Sequence, residues 1–321
     1  MRIPRIAVAG AVVLAGGLAL MIPVGGGDVG SAVTPDRRPT SMDMSAFPDT
    51  PPAKPLRLLF IHHSVGGMML ADPGPAQALS DSIYTTHPNG GGLRKRLQEA
   101  TYQVHETSYG SSIGEKTDLF DWLPKFRDHM DAVLTTSAND KHHDGGVKND
   151  IVVFKSCYPN NRFMDEGEAP GDPNGPDLTV WNAKATMKAL LPELARQKDT
   201  LFVYMTAPPV APRGYSEPAW KWLARKVMRK PSVAANVRRQ GELAREFNDW
   251  VVSPDGWLKD YPHRNVVVFD LYDVLTGGAS NLSRFPTGDG DDSHPSSAGT
   301  QQAAERFVGF LNRAVHRAGL D

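Results

Sequence analysis

The chain has 321 residues, enough for one large domain with a substantial core. Its 35 Lys and Arg nearly balance 36 Asp and Glu, so no basic excess points to nucleic acid or to an anionic membrane surface. A hydrophobic content of 40% is ordinary for a globular protein, and the single cysteine, Cys157, excludes any intramolecular disulfide.

The first segment has the pattern of an export signal. Arg2 and Arg5 precede an uncharged, mainly apolar run over 6–24, and Gly30, Ser31 and Ala32 offer small residues for cleavage. Basic residues stay on the inner side while such a run enters the bilayer. Residues 1–32 are therefore expected to be a signal peptide or, uncleaved, an N-terminal membrane anchor, in a protein secreted or held in the cell envelope. No lipobox cysteine is present. Residues 33–54, rich in Pro, Ser, Thr and Asp, read as a flexible linker, and 55–321 as one folded domain.

Within that domain strand-length apolar runs alternate with helical patterns. Strands are expected at 56–61, 102–108, 150–155, 200–205 and 265–271, the second being the most polar. Continuous apolar runs such as "DIVVFK" and "TLFVYM" suit parallel strands buried on both faces. Helices are expected at 93–100, 181–197, 233–251 and 297–318. The last places Ala303, Phe307, Phe310, Leu311, Ala314 and Val315 on one face. This alternation predicts an α/β sandwich around a parallel sheet, with long loops at 135–149, 163–179, 208–231 and 276–295 able to shape a cleft.

Chemistry-bearing residues gather where such a sheet puts its ligands. "HHSVGG", with Ser64, follows the first strand and "YGSSIG", with Gly110, the second. "SCYPNN", with Asn160 and Asn161, follows the third, and "GDGDDSHPSSAG" precedes the last helix. A serine hydroxyl needs an adjacent base to take its proton, and histidine suits that role. An acid on the other ring nitrogen holds the tautomer and stabilises the imidazolium.

On these residues the chain resembles the SGNH (GDSL-like) hydrolase superfamily of esterases and acyltransferases. "DDSHPSSAG" is similar to that family's D-x-x-H block, with Asp291 and His294 at the matching positions, and the strand ending in Ser64 is similar to its nucleophile block. The family's G-D-S is here His62-His63-Ser64, and its G-x-N-D is replaced by "KSCYPNN". The resemblance implies a three-layer α/β/α sandwich with a mainly parallel, flavodoxin-like five-stranded sheet. It implies Ser64 as nucleophile, His294 as base and Asp291 as its orienting acid. Gly110 and either Asn160 or Asn161 would help the Ser64 amide hold the oxyanion, where losing one donor costs about 3 kcal/mol in the barrier.

The expected activity is hydrolysis of carboxylic esters, such as O-acetyl groups on polysaccharide, with no metal or organic cofactor required. Acyl transfer to a sugar hydroxyl and a non-catalytic carbohydrate-binding module are the alternatives. A rival nucleophile is Ser112, since "GSSIG" matches G-x-S-x-G, although its preceding segment is polar for a nucleophile elbow.

His62 and His63 have two readings: metal ligands together with "DDSH", or one ring in the core and the other shaping the site. Adjacent extended residues point to opposite sides and do not easily bind one ion, which favours the second. "DKHHDGG" (140–146) reads as a solvated loop, and "GDGDD" (288–292) lacks the glycine and distal glutamate of a calcium loop. "NGGGLRKR" (89–96) reads as a turn and a basic helix face, Cys157 as a small core residue, and Lys155 as a side chain snorkelling toward the cleft.

Overall fold

The structure is a computed structural model that describes residues 43–75, 89–213, 228 and 232–321. The expected signal segment 1–32, and most of the 208–231 loop, lie outside the described residues. The described residues belong to one compact unit spanning 38–321. Among them no helix is long and apolar enough to cross a membrane.

In chain order, β1 (Leu56–Ile61), α1 (Ser64–Leu70), α2 (Leu93–Glu99) and β2 (Tyr102–Thr107) come first. Then come α3 (Trp122–Asp128), α4 (Met130–Thr135), the short β3 (Thr136–Ala138) and β4 (Lys141–His142), and β5 (Ile151–Lys155). The chain ends with α5 (Val180–Ala195), β6 (Leu201–Met205), α6 (Val233–Val252), β7 (Val266–Phe269), α7 (Leu271–Thr276) and α8 (Ser297–Ala318).

The sheet has seven strands in the order β4-β3-β2-β1-β5-β6-β7. All neighbouring pairs are parallel except β3 with β4. The five-stranded expectation is corrected by β3 and β4, which fall in the stretch expected as a loop at 135–149. They are too short and too polar to be read from periodicity, and they extend the edge beyond β2. Setting them aside leaves the flavodoxin-like order 2-1-3-4-5.

Side-chain alternation divides the core into two layers. On β1, Leu58 and Phe60 face one side with α1, α2 and α8, while Leu59 and Ile61 face the other with α3, α5 and α6. β5 and β6 are buried along their whole length, which is why they read as unbroken apolar runs. Burying each such Val, Ile, Leu or Phe side chain stabilises the fold by about 1.5–3 kcal/mol before conformational entropy is charged.

The described part of the expected linker, 43–54, is not free of the domain. Met44 is buried and Phe47 packs against the α8 layer. The Asn312 amide donates to the Asp49 carbonyl (2.7 Å), and Arg313 pairs with the Asp49 carboxylate (2.9 Å). The polar composition that suggested a tether hid two apolar anchors and a set of backbone acceptors for α8.

Candidate active site

β1 leads to β2 on one side of it, and after β4 the chain crosses to β5 on its other side, so a crevice opens at the carboxyl ends of β1 and β5. β1 ends at Ile61, two histidines follow, and α1 begins at Ser64. The loop before α8 brings His294 to the same place, although Ser64 and His294 are 230 residues apart in the chain.

His294 Nε2 lies 3.0 Å from Ser64 Oγ, and His294 Nδ1 lies 2.8 Å from Asp292 Oδ1. A carboxylate accepts only, so Nδ1 carries the proton and Nε2 accepts the Ser64 hydroxyl. The same Asp292 oxygen also accepts the His294 backbone N–H at 2.9 Å. Burial pushes the Asp292 carboxyl up, but the two hydrogen bonds from His294 and the charge of its imidazolium outweigh it and hold the group below its ordinary range. Ser64 and His294 are both partly open to solvent, which an incoming substrate needs.

The carboxylate beside His294 is one residue away from the one expected. Asp291 is exposed, and the carboxylate that meets His294 is that of Asp292. A tight turn makes the choice. Thr287 bridges Asp292, the Gly290 N–H donates to the Thr287 carbonyl at 3.1 Å, and Thr287 Oγ1 donates to the His294 carbonyl at 2.7 Å. Gly290 takes a φ of 80°, in the left-handed region glycine adopts without strain. With the turn held there, a side chain two residues before His294 spans both its amide and its ring.

The expected oxyanion donors are placed differently. The Gly110 N–H donates to the Glu115 carboxylate at 2.5 Å. The Asn160 amide donates to Asp118 Oδ1 (2.9 Å) and to the Cys157 carbonyl (3.3 Å). The Asn161 amide donates to the Ala207 and Pro208 carbonyls, both at 2.9 Å. Both asparagines thus tie the turn after β5 to neighbouring loops, and their donor hydrogens are spent there. The Ser64 N–H donates to the Tyr109 hydroxyl at 3.4 Å, at the long end of hydrogen bonding.

The two histidines before Ser64 divide as expected. His62 is buried, with Nε2 2.8 Å from Glu106 Oε2 and Nδ1 3.0 Å from the His63 carbonyl. Glu106 also pairs with Arg94 at 2.7 Å, so His62 links β1 to β2 and α2. His63 faces the crevice. Its Nε2 donates to the Gly114 carbonyl (2.7 Å), its Nδ1 accepts from the Thr117 hydroxyl (3.1 Å), and its ring stacks on Tyr109 with centroids 3.7 Å apart. Burial lowers its pKa to about 4, so it stands neutral near pH 7 with both nitrogens engaged.

Ser112 is paired with a carboxylate and not with a histidine among the described residues. Its N–H and its hydroxyl both donate to Asp140 Oδ1 at 2.7 Å. Lys155 does not snorkel: it is fully buried, its Nζ has no hydrogen-bond partner among the described residues, and burial lowers its pKa. Cys157 is buried. Among the described residues no group of three or more His, Cys, Asp or Glu side chains could hold a metal ion. Two aromatic residues went unnoticed in the sequence. Tyr109 lies beside Ser64, and the Tyr158 ring meets His294 edge-on at 5.4 Å. No periodicity marks either one; each lies inside a stretch, "YGSSIG" or "SCYPNN", read for another residue.

No family model and no curated protein matches the chain. Solved structures do. A catalytic mutant of an acetylxylan esterase from Geobacillus stearothermophilus aligns over 85% of this chain and 98% of its own, at 12% identity and a TM-score of 0.38. A carbohydrate esterase whose active site is described as displaying divergent catalytic and non-catalytic binding functions aligns over 81% and 69%, at 16% identity and 0.34. A salicylyl-acyltransferase from a tetracycline biosynthetic pathway aligns over 79% and 53%, at 14% identity and 0.33. Likenesses at TM-scores this low carry no argument about this chain.

Proposed function

We propose that this chain is an exported serine esterase of the SGNH type that hydrolyses carboxylic esters through an acyl-enzyme on Ser64. The observation that carries this reading is the relay of Ser64 Oγ, His294 and Asp292, with spacings of 3.0 and 2.8 Å. Ser64 Oγ adds to the ester carbonyl as its proton passes to His294 Nε2. Asp292 holds the Nδ1 tautomer and stabilises the imidazolium. Collapse expels the alcohol with the proton from His294, and water repeats the sequence to free the acid.

The partly open serine and the N-terminal export pattern favour esters met outside the cytoplasm, with O-acetyl groups on polysaccharide as the substrate class. Retention at the membrane would come only from an uncleaved N-terminal segment, and no nucleic acid partner is expected from the balanced charge.

Fluorophosphonate labelling of the purified protein, followed by peptide mapping, tests the reading. Label is expected on Ser64 in the wild type and is expected to be lost in His294→Ala, alongside acyl release from an ester panel that includes O-acetylated polysaccharide. Unlabelled Ser64 with glycan binding and no acyl release would instead make the chain a carbohydrate-binding module.

A further inference from the structure

We infer that Tyr109 is a catalytic residue of this site: its phenol, beside the Ser64 amide, donates a hydrogen bond to the substrate oxygen that turns negative when Ser64 adds to the ester carbonyl. The inference rests on the reading of Ser64 as the nucleophile.

An ester-cleaving serine needs donors aimed at the developing oxyanion, and such donors supply much of the rate. The backbone N–H of Gly110 and the side-chain amides of Asn160 and Asn161 are all engaged within the protein. At the residue that carries the hydroxyl nucleophile, the Ser64 N–H meets the Tyr109 hydroxyl at 3.4 Å, and a phenol that accepts there still carries its own O–H to donate. A contact that long is readily opened by an oxygen that accepts from both groups. Tyr109 is 38% exposed, and its contact with the Ser64 N–H lies at the surface.

The ring is also held in place. It stacks on His63 at 3.7 Å with an interplanar angle of 29°. His63 in turn is pinned by the Gly114 carbonyl and the Thr117 hydroxyl. A donor fixed in this way needs little reorganisation when charge develops. The loop after β2 then supplies an oxyanion donor through a side chain, one residue before the glycine from which a backbone donor was expected.

In the step itself the bond from Ser64 Oγ to the carbonyl carbon forms as the hydroxyl proton moves to His294 Nε2. The carbonyl π pair moves onto oxygen, which accepts from the Tyr109 O–H and the Ser64 N–H. Tyr109 keeps its proton throughout. On collapse the pair returns, the bond to the alcohol oxygen breaks, and His294 protonates the leaving group.

Steady-state hydrolysis of para-nitrophenyl acetate by wild type, Tyr109→Phe and Tyr109→Leu tests this, with melting curves and fluorophosphonate labelling of each. Tyr109→Phe keeps the stacked ring and is expected to melt like wild type. Its kcat is expected to fall about 100-fold while KM stays within about threefold, the pattern of a contact made only in the transition state. Tyr109→Leu is expected to lose at least as much kcat. A folded Tyr109→Phe with kcat within about threefold of wild type would overturn the inference and leave the esterase reading standing. A wild type that neither labels on Ser64 nor releases acyl groups would overturn both.

Discussion

Both ring nitrogens of His294 are committed, one to Ser64 and one to Asp292, so this histidine has a single orientation and a single tautomer. The carboxylate that imposes it is held below its ordinary titration range by the bonds it receives, and it therefore stays an anion at working pH. Replacing Asp292 by Asn offers an amide that can present the wrong tautomer, and kcat is expected to drop by about 10²–10⁴-fold. Asp291→Asn is expected to leave kcat within about twofold, since exposed substitutions away from the chemistry do little. Esterase assays on the two variants decide the matter, and the reverse ranking would return the acid role to Asp291. Two adjacent aspartates before a histidine were legible in the sequence. Which of them reaches the ring depends on the turn from Thr287 to Asp292, whose bridge and hydrogen bonds leave no periodic trace.

At the scale of the element, α1 is a seven-residue helix that starts on Ser64, and its placement depends on close approach to β1. A Cβ built on Gly66 would stand 2.4 Å from the His62 Cβ, so only glycine lets the first turn of α1 settle over that buried histidine. His62 cannot yield, because it is bonded to Glu106 and the His63 carbonyl. Gly66→Ala is expected to cost about 1–3 kcal/mol and to lower esterase activity by moving Ser64. Urea denaturation reads this as a lower midpoint at constant m. An unchanged midpoint would mean that α1 shifts freely and that this packing is not what positions the serine. The doubled histidine in "HHSVGG" is explained by the same contacts. One ring locks β1 to β2 and α2, and the other supports Tyr109 at the mouth of the crevice.

At the scale of the whole molecule, α8 follows His294 closely and packs along the sheet layer, so what steadies α8 also steadies His294. The segment 43–54 lies against it, with Met44 buried and with bonds from Asn312 and Arg313 to Asp49 and Phe47. A chain beginning at Pro55 loses these contacts. Burial of one Met and part of one Phe is worth about 2–3 kcal/mol, so this chain is expected to melt about 4–8 °C below one beginning at Asp43. Coincident melting curves would show the segment to be dispensable. Composition hid this role, because two apolar residues among many Pro, Ser and Asp make no pattern until α8 is in place to meet them.

The sequence by itself determined the α/β sandwich around a parallel sheet, the strands β1, β2, β5, β6 and β7, and the spans of the long helices. Each of these follows from local periodicity and from runs buried on both sheet faces. It also marked Ser64 and His294, because a strand end and a helix start are visible in the chain. Only the tertiary structure decided the rest. It set Asp292 and not Asp291 against His294, engaged Asn160 and Asn161 in holding loops together, buried Lys155 with no hydrogen-bond partner among the described residues and brought Tyr109 to the Ser64 amide. Those outcomes depend on which groups from distant segments reach one another at hydrogen-bond distance. That is a matter of ångströms set by packing, and periodicity along the chain carries no record of it.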